Sequence, residues 1–202
     1  MSKKTTLLKA TLVSFGLFLA SLTNATVVTF DDLPHWTNVG NGYHGLNWAN
    51  VYSYDASQSN SGYGNANVSG QNTTFNPNAQ DATISGDLFD FNGVYLTAAW
   101  NNNLNVKVTG SKNGQELYSQ TVVVDTYSPF WFDFNFFGID TLTFESFGGT
   151  PNPDYISFGS GEHFAMDDFT FNSIQAAVPE SSSLILVGLG LLSLLGSRRL
   201  KK

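Results

Sequence analysis

Alternating polarity along the middle of the chain is the feature that most limits its fold. Polar and apolar residues alternate in each of the segments 93–100, 104–110, 115–124, 130–137 and 140–147, and a similar segment follows at 163–172. Successive side chains of a strand point to opposite faces, so this pattern predicts strands with one buried face. Helical periodicity is almost absent from this part of the sequence. We therefore expect an all-β domain.

The connections between these segments favour an antiparallel arrangement. Asn113 and Gly114 separate two of the segments, and both residue types accept the positive φ that a type I′ hairpin turn requires. The region from Leu33 to Asp81 is rich in Gly, Asn, Ser and Tyr, which predicts long loops broken by brief strands. About eight to ten antiparallel strands joined in this way favour a two-sheet sandwich of the jelly-roll kind. An immunoglobulin-like sandwich is the alternative.

The charge of the central domain, residues 26–175, excludes one class of partner. This segment is long enough for one hydrophobic core, and it contains fifteen carboxylates against two lysines, a formal charge of −13. Binding to a nucleic-acid backbone needs clustered cations, so we expect no nucleic-acid partner. The chain also has no cysteine, which excludes disulfides, zinc–thiolate sites and cysteine nucleophiles.

Residues suited to catalysis form no recognisable pattern. His35, His44 and His163 lack metal-ligand spacing, and the chain contains no G-x-S-x-G sequence. A pair of carboxylates facing one cleft, as glycoside hydrolysis uses, stays open among so many acids. We expect a domain without catalytic activity, and a secreted glycan-active hydrolase is the alternative.

Two pairs of adjacent acids predict a metal site. Asp31 and Asp32 follow the first strand segment, and Asp167 and Asp168 lie in the last one. If the terminal strands are neighbours, these four carboxylates come together and repel each other unless a hard cation joins them. Ca²⁺ prefers such carboxylate and amide oxygens, so we expect a structural calcium site. In the alternative interpretation the acids face solvent or cap turns.

Aromatic residues in the polar first third of the domain predict a glycan-binding surface. Flat rings stack on the apolar faces of sugars, and neighbouring amides and carboxylates bind the hydroxyl groups. Rings of this kind also fill the ends of β-sandwiches, which is the alternative. The candidate glycan-binding residues are Trp36, Tyr43, Trp48, Tyr52 and Tyr54.

Residues 1–25 have the three parts of a secretory signal peptide. Lys3, Lys4 and Lys9 form a basic region, an apolar stretch follows near Leu12–Leu22, and small and polar residues lead to Ala25. The apolar stretch is too short to span a hydrocarbon core of about 30 Å as a permanent anchor. We expect export and cleavage after Ala25.

The last segment, residues 176–202, predicts a single transmembrane helix of marginal length. Leu184 to Gly196 is almost entirely aliphatic and would form about 20 Å of helix at ~1.5 Å per residue. Basic residues follow it at Arg198, Arg199, Lys201 and Lys202. Such residues extend to the lipid head groups and, by the positive-inside tendency, keep the tail cytoplasmic and the domain outside.

The order of parts in this tail resembles a known sorting signal. Val178, Pro179 and Glu180 are followed by three serines, the short helix and the basic end. This order resembles the PEP-CTERM signal of exosortase substrates in Gram-negative bacteria, although Ser181 stands where that family usually has a second proline. The sequences TFDDLP, YLTAAW and FAMDDFTFN also look like the globular region of some of these proteins, for which no activity is assigned.

The resemblance implies a route and a destination. Proteins of this family cross the inner membrane, are held there transiently by the tail, and are processed by an exosortase near the motif. They then reach the cell surface or the extracellular matrix, often beside loci for exopolysaccharide production. We therefore expect a surface or matrix protein whose domain binds extracellular polysaccharide. The alternative is a purely structural biofilm or adhesive component.

Overall fold

The structure is a computed structural model that describes residues 25–174. The signal peptide, the sorting signal and both terminal helices predicted above lie outside these residues. The described strands are β1 (Thr26–Val28), β2 (Thr37–Asn38), β3 (Asn47–Ala49), β4 (Tyr52–Asp55), β5 (Asn72–Phe75), β6 (Ala82–Ala98), β7 (Asn101–Asn102), β8 (Leu104–Lys112), β9 (Gln115–Val124), β10 (Phe130–Phe147), β11 (Thr150–Pro151) and β12 (Phe164–Ser173). A short helix α1 covers Gly62–Asn65, and 3₁₀ turns cover Ala56–Gln58 and Pro77–Ala79.

Every strand pairing among these residues is antiparallel, so the prediction of an antiparallel all-β domain is confirmed. One sheet follows the order β2-β4-β5-β12-β6-β10-β8-β9, with β1 also paired to β12 and β3 to β6. β7 and β11 form a separate two-stranded sheet. β1 and β12 pair with each other, so the two ends of the domain lie side by side.

The long strands β6 and β10 divide the larger sheet into two layers. The start of β6 pairs with β3, whereas its second half pairs with β12. β10 pairs with β6 along most of its length, but it pairs with β8 only from Thr141 onward. Register shifts between Asp133 and Thr141 separate the two halves of β10. The first layer therefore contains β1, β2, β4, β5 and β12, and the second contains β3, β8 and β9.

The main core fills the space between these layers and consists largely of phenylalanine. Phe91 of β6 stacks on Phe134 and Phe169 at centroid distances of 5.2 and 4.8 Å. Phe144 of β10 packs 6.0 Å from Phe91 and 5.7 Å from Phe164, which joins the second layer to the first. Each fully buried phenylalanine contributes about 1.5–3 kcal/mol, so this cluster is a major source of stability.

The alternating phenylalanines at the start of β10 follow the predicted pattern only in part. Phe134 and Phe136 are buried, but Phe130 is 67% exposed. The first half of β10 pairs with β6 on one side and has no hydrogen-bonded strand among the described residues on the other. The strand therefore begins beyond the core that its later residues help to form.

The turn between β8 and β9 confirms the hairpin prediction. Asn113 and Gly114 have φ values of 52° and 76°, as a type I′ turn requires. The Asn113 N–H donates to the Asp140 carboxylate at 2.7 Å, which fixes the turn against β10.

Strand register places several aromatic side chains on the outer face of the first layer. Directly opposed residues of antiparallel strands lie on the same face. Tyr52 of β4 opposes Phe75 of β5, which opposes Ala165 of β12. Two residues further along β12, Asp167 lies on the same face and opposes Tyr95 of β6. Tyr95 in turn opposes Trp131 of β10. This outer face carries the candidate functional site.

Candidate functional site

A cleft lined by aromatic rings lies on this outer face, on the side of β4 and β5. Its base is a small second core in which Tyr63 of α1 and Phe75 of β5 are 7% and 3% exposed. The cleft has a volume of about 310 Å³. Its lining residues are Trp36, Tyr54, Ser59, Tyr63, Phe75, Pro77, Asn78, Trp100, Gly159, Ser160 and His163. We call it the aromatic cleft.

The rings of the aromatic cleft fix one another through edge and stacking contacts. Phe75 receives Trp36 and Tyr63 nearly edge-on, with centroid distances of 5.3 and 5.0 Å. Tyr54 stacks on Tyr63 at 5.3 Å, and Trp100 meets Tyr63 edge-on at 5.3 Å. Aromatic pairs at these distances add about 0.5–1.5 kcal/mol beyond their area burial, so the cleft is preformed and rigid.

Trp36 stands at the mouth of the cleft in an unusual backbone conformation. Its side chain is 57% exposed, and its φ of 58° lies in the left-handed region that bulky residues rarely adopt. The Trp36 N–H donates to the Ser53 carbonyl at 3.0 Å, which holds this conformation. Next to it, Nδ1 of His35 accepts the Asp55 N–H at 3.0 Å. Strained residues held in this way often mark functional sites.

Polar groups accompany the rings on the other side of the cleft. The Tyr63 hydroxyl and Nδ1 of His163 form a hydrogen bond of 2.9 Å. Burial lowers the pKa of His163 below its usual range, so its ring is neutral at pH 7. Burial also raises the pKa of the Tyr63 hydroxyl, which therefore keeps its proton. The side chains of Ser59, Asn78 and Ser160 add further hydrogen-bonding groups.

Asparagine side chains tie together the loops around the cleft. Nδ2 of Asn65, at the end of α1, donates to the Thr126 carbonyl at 2.7 Å and to the Tyr155 hydroxyl at 3.1 Å. Nδ2 of Asn152 donates to Oγ1 of Thr126 at 2.7 Å. The loop that contains Gly159 lies directly against Trp100. A Cβ added to Gly159 would come within 2.6 Å of that indole. These bonds hold three separate loops in one arrangement.

This arrangement suits the recognition of a sugar. Exposed ring faces at the mouth can stack on the apolar face of a pyranose, and hydroxyl, amide and imidazole groups at the rim can bond its hydroxyls. The lining contains no lysine or arginine, so a phosphate or a sulfate would find no cationic partner there.

The structure separates the five predicted glycan-binding residues into two groups. Trp36 and Tyr54 line the aromatic cleft, and Tyr52 packs at its base, 6.2 Å from Phe75. Trp48 is only 3% exposed, so its indole is not placed to contact a glycan at the surface. Its indole fills the main core against Phe30 and Phe169, and its Nε1–H donates to the Tyr43 carbonyl at 2.9 Å.

Tyr43 belongs to the group around Trp48. Its ring packs against the main core, stacking on Phe30 at 6.0 Å, and its hydroxyl donates to Oδ1 of Asp32 at 2.6 Å. Burial and this bond raise the pKa of the Tyr43 hydroxyl. Tyr43 therefore acts mainly as a link between the core and the loop after β1.

Three of the four candidate metal ligands converge on one segment, residues 68–72. Oδ2 of the buried Asp167 accepts the N–H groups of Val68 and Ser69 at 2.7 and 3.0 Å. Oδ1 of Asp168 accepts the Ser69 hydroxyl at 2.6 Å. Oδ1 of Asp31 accepts two N–H groups from the other end of the segment, at 2.6 and 2.9 Å.

The acids therefore have protein partners in this structure. Burial opposes ionisation of Asp31, but the N–H groups of Asn72 and Gln71 lower its pKa overall. Asp32 bonds Tyr43 instead of joining the other three. Among residues 25–174 no group of three or more His, Asp or Glu side chains is arranged to hold a metal ion. The calcium site stays a prediction.

Four rings that line the aromatic cleft are absent from the candidate glycan-binding residues: Tyr63, Phe75, Trp100 and His163. Phe75 lies in a short strand without clear alternation, and Trp100 follows the end of β6 by two residues. His163 is far in sequence from Trp36, Tyr54 and Phe75. Only the pairing of β12 with β5 and β6 brings these positions together.

In the part of the chain that the structure describes, no helix has the length and apolar character needed to cross a membrane.

The sequence matches no protein-family model and no curated protein. Solved structures similar to this chain include two binding or adhesin domains. One is the module TmCBM61 in complex with β-1,4-galactotriose, with a TM-score of 0.35, 12% identity and coverage of 69% of this chain and 98% of that one. The other is the K1 cleaved adhesin domain of Lys-gingipain from Porphyromonas gingivalis W83, with a TM-score of 0.39, 11% identity and coverage of 75% and 99%. A likeness this distant carries no functional inference.

Proposed function

We propose that this protein is a non-catalytic glycan-binding domain of the cell surface or extracellular matrix, and that the aromatic cleft binds the polysaccharide. The observation that carries this proposal is the exposed indole of Trp36, held in a left-handed backbone conformation at the mouth of a cleft built from aromatic rings. Other exposed rings, such as that of Phe158, do not line this cleft. A fixed, exposed ring at the mouth of a cleft favours a ligand that stacks on it.

The geometry of the cleft supports binding without rearrangement. Tyr54, Tyr63 and Phe75 hold one another by ring contacts, and Trp36 is held through its backbone. A preformed site loses little conformational entropy when a ligand binds. Neutral His163 and the protonated Tyr63 hydroxyl provide uncharged partners for sugar hydroxyls, which suits a neutral saccharide.

Binding is tested with the full chain on a polysaccharide array in a non-glycosidic detergent. We expect retention by at least one polysaccharide and a loss of about tenfold in affinity for Trp36→Ala, since stacking by one aromatic ring contributes roughly 1–2 kcal/mol. Phe158→Ala is the matched control, because Phe158 is 69% exposed but does not line the cleft. Equal binding by Trp36→Ala and the unchanged chain would refute the proposed site.

The proposal includes the route to the surface. The signal peptide would direct export through the inner membrane, and an exosortase would recognise Val178, Pro179 and Glu180 while the basic end holds the tail in the membrane. The intact mass of the mature protein, measured in cells with and without the exosortase, tests this step. An unclipped carboxyl terminus in both strains would contradict it.

Two finer structural proposals accompany the function. We propose that the two layers form a jelly-roll sandwich, in keeping with the long strands β6 and β10 that both layers share. We also keep a structural calcium ion near Asp31, Asp32, Asp167 and Asp168 as a proposal. The unfolding temperature of the protein should then be higher in calcium than in the presence of a chelator. Equal unfolding temperatures in the two conditions would refute the calcium site.

A further inference from the structure

A second aromatic surface lies on the same outer face, at the β10 side of the first layer. The indole of Trp131 lies against Gly93 of β6, where a Cβ would come within 2.5 Å of the ring. Tyr95 meets this indole nearly edge-on at 5.2 Å. The indole thus lies against glycine backbone on one side, and the Trp131 side chain as a whole is partly exposed. Trp131 and Asp133 together are called the Trp131 platform below.

A carboxylate is attached to this ring. The Nε1–H of Trp131 donates to Oδ1 of the exposed Asp133 at 2.8 Å, which fixes the rotation of the indole and places negative charge at its edge. The carboxylate of Asp90, on the adjacent strand β6, already binds the backbone, since its Oδ1 accepts the Gly138 N–H at 2.7 Å. The Asp133 carboxylate therefore remains the charged group that a ligand beside Trp131 would meet.

The charge of the whole domain favours a cation at this position. The described residues contain fifteen carboxylates and two lysines, Lys107 and Lys112, and both lysines lie on β8 in the other layer. No cation of the described chain therefore neutralises Asp133 from within its own strand or from β6. A field of one sign raises the local concentration of oppositely charged ligands. A cation over the face of tryptophan gains a further attraction from the ring quadrupole.

We propose that the Trp131 platform is a second binding site, which takes a polysaccharide carrying protonated amino groups. The sugar ring stacks on the indole face, and its ammonium group lies beside the Asp133 carboxylate. An acidic polysaccharide would be repelled here, and a neutral one would leave the carboxylate unpaired. This site goes beyond the aromatic cleft, whose polar groups are uncharged.

The two sites are separate positions on one face. From β5 to β10 the sheet crosses three strand spacings of about 4.8 Å, or roughly 14 Å. The segment that contains α1 and Val68 lies between them, over β12 and β6. A long polymer that reaches both sites would bind more tightly than either site alone provides.

The experiment uses the indole N–H signals of the four tryptophans in the full chain, held in a non-glycosidic detergent. The probe is a β-1,4-linked glucosamine hexamer, with its N-acetylated form as comparison, at about pH 5.5 so that the amino groups of the probe are charged. Trp131→Phe assigns the Trp131 signal. We expect the glucosamine hexamer to shift this signal, and the N-acetylated hexamer to bind the platform about tenfold more weakly.

Affinities of matched variants complete the test. Trp131→Ala should weaken binding of the glucosamine hexamer about tenfold. Asp133→Asn should lower the affinity for the glucosamine hexamer and reduce its dependence on salt between about 0.05 and 0.5 M, while the charge of the rest of the domain keeps part of that dependence. Phe137→Ala, an exposed ring on the same strand, and Glu116→Gln, an exposed acid on β9, should behave like the unchanged chain. Each titration is repeated in the Trp36→Ala background to remove binding by the cleft.

Three outcomes would overturn the platform: no binding of the glucosamine hexamer, equal affinity for both hexamers, or an unshifted Trp131 signal. The last outcome together with a shifted Trp36 signal would leave the aromatic cleft intact as the glycan site. A shifted Trp131 signal with no effect of Trp36→Ala on any polysaccharide would instead refute the cleft and keep the platform. The failures of the two sites are therefore distinguishable.

Discussion

Replacing Asp167 by asparagine tests how β12 holds the segment of residues 68–72 against the outer face of the first layer. Asp167 is completely buried, and its carboxylate accepts N–H groups from Val68, Ser69 and Asp168. Burial raises its pKa to about 6, and these N–H bonds only partly oppose the rise. Asparagine keeps the size of the side chain and one carbonyl acceptor but has no proton to release.

The sign of the effect follows from proton binding. The pKa of Asp167 is about 6 in the folded state and 3.8 in the unfolded state, so the folded protein binds this proton more tightly. Its stabilising contribution is complete below about pH 4 and is lost as the pH rises through about 6. A difference of about two pKa values corresponds to about 3 kcal/mol in the free energy of unfolding.

Urea unfolding of the full chain, followed by tryptophan fluorescence in the presence of a calcium chelator, measures this contribution. We expect the stability of Asp167→Asn minus that of the unchanged chain to rise by about 3 kcal/mol between about pH 4 and pH 7.5. Because burial lowers the pKa of His163, its contribution grows with pH, but it cancels in this difference. A flat or falling difference would show that the N–H bonds outweigh burial, and would refute the reasoning.

Substitutions at three further positions probe other parts of the structure. Trp48→Ala should lower the free energy of unfolding in urea by about 3–5 kcal/mol, because this indole fills the core. Glycan retention per folded molecule should stay unchanged. A loss of less than about 1 kcal/mol would contradict the burial of Trp48. Asp31→Ala should lower the free energy of unfolding by about 1–3 kcal/mol in the same measurement. Asp31→Asn should lower it less, since the amide oxygen still accepts a hydrogen bond from residues 68–72. Equal losses for the two variants would refute the role of Asp31 as an acceptor for this segment. Gly62→Ala should displace α1, because a Cβ at this position would lie 1.8 Å from the Ala98 carbonyl oxygen. The displacement should weaken glycan binding in the aromatic cleft. Unchanged glycan retention would show that the position of α1 does not affect binding.

The regular strands were predictable from the sequence because their two faces differ in polarity. β9 has the predicted bounds, Gln115–Val124, since it begins directly after a turn of Asn113 and Gly114. The two segments predicted at 130–137 and 140–147 are instead one strand, β10. Asn135 and Gly138 have positive φ at its register shifts. A bulge changes which face the next residue occupies, so alternation stops at the bulge although the strand continues.

The aromatic cleft was predictable only in part, because the fate of a tryptophan in an irregular segment depends on distant strands. Trp36 and Trp48 lie in the same Gly- and Asn-rich region, yet one is exposed and the other fills the core. Trp48 belongs to β3, whose pairing with β6 turns its ring inward onto Phe169. No local pattern announces that pairing, since β3 has only three residues.

The exposure of Trp36 has a local cause that explains why the cleft stays open. With φ at 58°, the backbone at Trp36 leaves the extended path just before β2, and its N–H remains bound to the Ser53 carbonyl. An extended residue there would alternate with Thr37, whereas the left-handed turn swings the indole outward beside Tyr54 and Phe75. The chain therefore accepts a backbone strain of roughly 1–3 kcal/mol to hold one ring at the mouth of the cleft. The edge contacts of Trp36 with Tyr54 and Phe75 offset part of that cost, and a ligand stacked on the exposed side of the indole would offset more of it.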